Sequence, residues 1–323
     1  MRVRSGKRRP DGGSMSTDQQ FDTITSVHSI DHFALNVPSI SDARYFFDAF
    51  GLDVTSNENA LDLRAADGHR WARVLPSDSK SLAYLSFNCF EGDLPAIERQ
   101  VFAAGADILI SSDGDREGFW FNDPDGNLVQ VRVGEKTLPN EKAPLEQRRT
   151  LANARGSLMR SGVAKVRPRR MSHVLLFTPD IARALAFYRE ALGLRLSDRS
   201  ANIIAFTHAP HGCDHHLVAF VQSSAKGWHH VAWEVASIDE VGNGATQMAV
   251  AGFKAGWGTG RHVLGSNYFH YVRDPWGSFS EYSADMDYVS AGSEWPAGDF
   301  RPEDSLYQWG PDIPDYFICN TEA

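Results

Sequence analysis

The chain spells one pattern twice. Ile30-Asp31-His32-Phe33-Ala34-Leu35-Asn36-Val37 reads as a strand ending at Pro38, and Ser41 to Phe50 reads as a helix stopped by Gly51. The same order returns at His173 to Phe177 and in a helix opened by Pro179-Asp180. Ile181, Ala184, Leu185, Tyr188 and Leu192 form that helix's apolar stripe, Asp180 is its cap, and Gly193 supplies the left-handed residue that ends it. The ends of the halves also correspond. Asp123-Pro124-Asp125-Gly126 and Asp274-Pro275-Trp276-Gly277 are proline turns, each leading into an alternating strand. Each half splits again. Leu82 to Phe87 with a helix over Ala96 to Phe102 and a stop at Gly105 matches His229 to Val235 with a helix over Val241 to Ala251 and a stop at Gly252. Four strand–helix–strands units, two per half, confine the chain to an α+β fold of two tandem modules.

Length and composition agree with that plan. The 323 residues suffice for two ordinary modules, and 42 % apolar residues supply a core for each. A formal charge of −9 argues against a nucleic-acid partner, because phosphate binding needs a basic face. No run of eighteen apolar residues is present, so no membrane span is expected. The three cysteines, Cys89, Cys213 and Cys319, are scattered and odd in number, which fits a reducing, cytoplasmic setting better than a disulfide framework. Residues 1–27 read as a basic, then Ser/Gly-rich, disordered leader with no apolar segment, and Met15 is as good a natural start as Met1. The first module is expected over 28–134, a basic surface linker over 135–170, and the second module over 171–288. Residues 289–323 hold Trp295, Phe300, Tyr307, Trp309, Tyr316 and Phe317 among prolines, an irregular aromatic tail expected to pack on the second module.

Candidate metal ligands lie at repeated positions. His173 starts the third unit's strand, His230 the fourth's, and Glu281 sits on the last strand. Two imidazoles and a carboxylate on one face of a divalent ion leave coordination positions open, which suits non-haem Fe(II) or Mn(II) better than structural zinc. Aligning the halves sets His32 against His173, Ala83 against His230 and Gln130 against Glu281, so only the second half holds a full set. His229 is the rival for His230. Strict alternation puts His230, Ala232 and Glu234 on one face and His229, Val231, Trp233 and Val235 on the other. The stretch His208 to His216 is rich in histidine; a zinc site using Cys213 is disfavoured, because its ligands crowd one loop.

The two-module layout, the Asp-Pro-x-Gly-x-x-x-Glu ending and the His-His-Val strand resemble the vicinal oxygen chelate superfamily. The second half is similar to the type I extradiol (catechol) ring-cleavage dioxygenases. The resemblance implies paired βαβββ units, a metal-free N-terminal module and a catalytic C-terminal one. It implies meta-cleavage of a catechol-type aromatic with incorporation of O2, in aromatic compound degradation, at a mononuclear Fe(II) held by His173, His230 and Glu281. Mn(II) accepts the same ligands. His216 is then the acid–base histidine, because an imidazole can take a substrate proton near neutral pH and return it. His262, after Gly260-Arg261, and Tyr271, ten residues before Glu281, match the family's pocket residues. His215 is expected to point away, and His208 and His211 to face solvent. The partners implied are a catechol and O2, with no nucleic acid and no membrane, and a homo-oligomer is expected. The alternatives are a glyoxalase-like metal-dependent isomerase or lyase, and a non-catalytic protein that binds an aromatic compound.

Overall fold

The computed structural model describes residues 25–109, 118–146 and 149–323. The leader apart from its last residues lies outside these, as do Met15 and Arg148 of the basic linker. The first half runs β1 (Ser29–Val37), α1 (Ile40–Phe50), β2 (Asp53–Asn57), β3 (Ala60–Arg64), β4 (Arg70–Pro76), β5 (Ser81–Cys89), α2 (Leu94–Ala103), β6 (Phe119–Asn122) and β7 (Leu128–Val133). The second runs β8 (Arg170–Thr178), α3 (Ile181–Leu192), β9 (Arg195–Ser200), β10 (Ile204–His208), β11 (Cys213–Asp214), β12 (Val218–Gln222), β13 (Gly227–Glu234), α4 (Ile238–Val250), β14 (Gly256–His262), β15 (Tyr268–Arg273) and β16 (Phe279–Ala284). Behind it come β17 (Tyr288–Val289), β18 (Gly298–Asp299), α5 (Pro302–Ser305) and β19 (Tyr307–Trp309). The fold is α+β, with the two halves forming sheets of the same order.

The first sheet reads β2-β3-β4-β1-β5-β7-β6, and the second β18-β9-β10-β12-β8-β13-β16-β15-β14-β19. In both, the opening strands of the two units pair antiparallel at the centre, β1 with β5 and β8 with β13. Each opening strand pairs parallel with its unit's last strand. In the second unit a single bridge, Leu109 to Trp120, stands where the described residues show no further strand.

Local chemistry explains the element ends. The Ser39 and Asp180 side chains accept from Asp42 N and Arg183 N at the starts of α1 and α3. Gly51 closes α1 at φ 105°, and a Cβ there would lie 2.0 Å from the Val166 carbonyl oxygen, so that position demands glycine twice over. In the second proline turn, Asp274 Oδ1 accepts from Trp276 N and Ser278 N, both at 2.9 Å.

The apolar faces of both sheets and the helices between them bury one continuous core. Phe50 stacks on Tyr282 with ring centroids 3.9 Å apart, and the Tyr282 hydroxyl donates to the Phe50 carbonyl at 2.8 Å. Phe33 of β1 stacks on Trp228 of β13 at 4.8 Å. Each such buried ring contributes roughly 1.5–3 kcal/mol of transfer energy. The first half thus braces the strand on which His230 stands.

Two register details position everything that follows. Between Trp228 and His230 the pairing with β8 slips, leaving His229 as an extra, bulged residue. The same slip occurs in the first half between Ala34 and Leu35, where Ala83 is the bulged residue of β5.

Candidate metal centre and active site

β8, β13 and β16 lie side by side, and Ala232 is the register partner of both His173 and Glu281. Side chains two residues apart share a face, so His230 rises beside the other two. His173 Nε2 and His230 Nε2 are 3.3 Å apart, and Glu281 Oε2 lies 3.4 Å from the first and 3.6 Å from the second. All three residues are buried, and among the described residues they form the one cluster of three His, Cys, Asp or Glu groups with this spacing.

This triangle fits a divalent ion. A point equidistant from its corners is about 2 Å from each, the usual length of an imidazole or carboxylate bond to such an ion. Glu281 Oε1 accepts from Asn267 Nδ2 at 2.9 Å, whereas the fully buried Oε2 has no hydrogen-bond partner in the protein. A buried carboxylate oxygen with no donor, facing two ring nitrogens, is costly without a cation.

The ring nitrogens are wired for that purpose. Ser172 Oγ donates to Asp214 Oδ2 at 3.0 Å, so at 3.2 Å it can accept from His173 Nδ1–H. His229 donates from Nε2 to the Phe317 carbonyl at 2.9 Å, which leaves its Nδ1, 2.7 Å away, to accept from His230 Nδ1–H. Both candidate ligands therefore present an Nε2 lone pair to the triangle, the outer partner fixing each tautomer. Burial holds His230 well below the ordinary imidazole range, the neighbouring histidines adding to it, so the ring is neutral as a ligand must be.

His216 lies just before β12, and its ring centroid is 4.0 Å from that of His173. Burial first, and then electrostatic repulsion between it and the neighbouring His173, lowers its pKa well below the ordinary value. His262 ends β14, and Tyr271 on β15 is the direct register partner of Glu281. His262 Nδ1–H donates to the Leu306 carbonyl at 2.7 Å, so its Nε2 accepts from the Tyr271 hydroxyl at 2.9 Å. Burial, with the Glu281 carboxylate alongside, raises Tyr271 well above the usual phenol range.

These groups meet at a cavity of about 210 Å³. Leu175, Ile204, Phe206, Leu264, Leu306 and Phe317 provide much of its apolar wall, and its described lining includes no Asp, Glu, Lys or Arg. Pro302, Ser305, Leu306, Phe317 and Ile318 come from the tail, which covers one side. Phe317 packs into an aromatic cluster with Trp257, Phe269, Tyr271 and Phe279.

The structure corrects three sequence expectations. His229 is not on the face opposite His230: the bulge turns both toward the cavity, while Trp228, Val231 and Trp233 join the core. The first-half counterpart of His230 is Tyr84, not Ala83, because Ser86 faces both His32 and Gln130 as Ala232 faces both His173 and Glu281. There, His32 Nε2 meets the Tyr84 hydroxyl at 2.9 Å, and Ser86 donates to Gln130 Oε1 at 2.8 Å. Finally, His208 is 2 % exposed, and His211 is half-buried against His28 and Phe90. His215 points away from the cavity as expected, but into the protein: it is fully buried. Asn267 and Asp198 were missed, since nothing in their local sequence marks them.

The buried histidines carry a pH dependence. Burial, then the charge of His211, lowers His28 from 6.5 to about 4; burial, then His215, lowers His208 to about 4. Unfolded, both rings bind protons near 6.5, so as pH falls the unfolded chain takes up protons first. Their contribution is full above about pH 6.5 and is lost progressively toward about pH 4, at about 1.4 kcal/mol per unit of depression. The urea midpoint should therefore be lower at about pH 5 than at about pH 7, and an unchanged midpoint would contradict this.

Comparison with known proteins shows the family. Residues 170–282 match the family model of the glyoxalase/bleomycin resistance protein/dioxygenase superfamily. The chain is 62 % identical over 299 residues to metapyrocatechase 2 of Cupriavidus necator, covering 92 % of this chain and 93 % of that protein. It is 28 % identical over 206 residues to an iron-dependent extradiol dioxygenase of Rhodococcus jostii strain RHA1, covering 60 % of this chain and 63 % of that one. Among solved structures, a Mn(II)-bound glyoxalase from Novosphingobium aromaticivorans superposes with a TM-score of 0.72 at 25 % identity, covering 90 % of this chain and 94 % of that one.

Proposed function

The chain belongs to the type I extradiol ring-cleavage dioxygenases of the vicinal oxygen chelate superfamily, and from that membership we propose that it opens uncharged catechols by meta-cleavage with O2 at a single Fe(II). His173, His230 and Glu281 are the proposed ligands, and Mn(II) would suit the same set. The observation that carries this reading is the buried triangle with its partnerless Glu281 oxygen, beside His216 and Tyr271. When bound there, the metal would supply a Lewis-acidic, redox-active centre through which catechol and dioxygen exchange electrons.

The chain's own groups do the rest. The apolar walls hold the ring and exclude water, which strengthens every polar contact inside. His216 is proposed to take one catechol hydroxyl proton at Nε2 and later to return it. The Tyr271 hydroxyl donates its hydrogen bond to His262, so its oxygen can accept from the hydroxyl that keeps its proton, favouring the monoanion. A first module over 28–134 is proposed as scaffold, since Tyr84 and Gln130 occupy the positions of two ligands. Among the described residues no helix is long and apolar enough to cross a membrane. The cysteines are free. We place the enzyme in the cytoplasm, as a homo-oligomer, in aromatic compound degradation.

The cavity wall sets the substrate class. A wall without a cationic side chain cannot repay the desolvation of a carboxylated ring. Oxygen-uptake profiling should give kcat/KM for catechol and 4-methylcatechol on the order of 10²-fold above that for protocatechuate. Equal rates on the carboxylated ring would overturn this assignment. Metal-replete enzyme inactive on every catechol, but active on a glutathione hemithioacetal, would instead favour the glyoxalase reading.

A further inference from the structure

Behind His216 lies a second paired-histidine arrangement wired like the one behind His230. Asp198 on β9 is buried, and its carboxylate accepts from three donors. Oδ1 accepts from Gly298 N at 2.8 Å, and Oδ2 accepts from His215 Nε2 at 2.7 Å and from Trp295 Nε1 at 3.3 Å. His215 Nδ1 in turn lies 3.1 Å from His216 Nδ1. The His215 backbone is pinned on both sides, its N–H donating to the Asp287 carbonyl at 2.6 Å and its carbonyl accepting from Ser197 Oγ. Its ring is clamped between Trp295 and Phe206. None of Asp198, His215 or Trp295 lines the cavity.

We propose that Asp198 and His215 are positioning residues that fix which nitrogen of His216 carries its proton. The inference rests on the acid–base role assigned to His216 above. A carboxylate only accepts, so the proton on His215 is held at Nε2, and His215 Nδ1 is left as an acceptor. His216 must then place its own proton on Nδ1, and its Nε2 lone pair is turned to the cavity, ready for a catechol hydroxyl proton. In that transfer the substrate O–H bond breaks and a His216 Nε2–H bond forms, while the Nδ1–H stays on its bond to His215. The tail is part of the device, because Trp295 and Gly298 aim the carboxylate.

Four variants test the assignment, each compared with the native enzyme for kcat, KM for catechol, anaerobic catechol binding, iron content and Tm. In Asp198→Asn the amide oxygen keeps Gly298 N and the NH2 group faces His215. That reverses every bond in the chain and puts the His216 proton on Nε2. kcat should fall on the order of 10²-fold, with KM and catechol affinity within about threefold of native. His215→Leu should cut kcat about tenfold or more, while His215→Gln, whose amide can donate to Asp198 and accept from His216, should restore it to within about threefold of native. Native kcat in His215→Leu, or equal damage from Leu and Gln, would overturn the proposal even if Asp198→Asn failed to fold. His216→Phe separates the two ideas. If it abolishes turnover while the Asp198 and His215 variants do not, only the positioning role falls; if it retains turnover, the acid–base reading falls first.

Discussion

His216→Phe is expected to lower kcat by 10²- to 10⁴-fold, the usual share of a positioned acid–base group, while iron content and anaerobic catechol binding stay near native. The substitution is nearly isosteric in a pocket already shared with Phe206, so packing is conserved. What is lost is the Nε2 lone pair beside His173 and the Nδ1 contact to His215. Oxygen uptake with iron determined per chain reads the outcome. Turnover within about threefold of native would mean that another group, or water, takes the proton. A protein that merely sequesters aromatic compounds would be indifferent to the change.

Glu281→Gln should abolish both iron retention and turnover. The side chain keeps its shape and its acceptor for Asn267, but the carboxylate charge facing the two imidazoles disappears. Losing a charged ligand should cost more than the roughly 10- to 100-fold in metal affinity typical of losing an outer partner. The first half supplies an internal precedent: Gln130 stands at the matching position, across Ser86 from His32, and that set belongs to no metal cluster among the described residues. Iron per chain after dialysis is the direct readout. A Glu281→Gln protein that keeps a full complement of iron would show that the carboxylate is not needed to hold it.

Much of this was legible in the residues, for a physical reason. The proline turns, helix caps and stop glycines are local chemistry, so repeating them fixed the module order and put His173, His230 and Glu281 at equivalent places. Register was not legible. An alternation argument assumes an unbroken strand, and one extra residue at His229 or Ala83 moves every side chain before it to the other face. The bulge in β13 accounts for the misplaced His229, whereas pairing His230 with Ala83 instead of Tyr84 is a one-residue offset between halves that carry the same bulge. Long-range polar partners were equally hidden. The Phe317 carbonyl that orients His229 is 88 residues away, and Asp198 is 17 residues from His215. His208 looked like a loop residue because histidine is often exposed, yet Ser197 Oγ meets its Nδ1 at 2.8 Å and satisfies it inside the protein. Nothing in the tail's aromatic content signalled that its backbone would hold His229 and His262.

The most direct test of the central claim is an anaerobic single-turnover experiment. Metal-free protein is loaded with Fe(II), mixed with one equivalent of catechol without oxygen, and then exposed to O2 at known concentration. The account expects about one Fe(II) bound per chain, no change in the catechol until oxygen is admitted, and then one O2 consumed per catechol with a yellow ring-opened product. Iron-replete protein that binds one metal per chain, yet consumes no oxygen and returns the catechol intact, would contradict it.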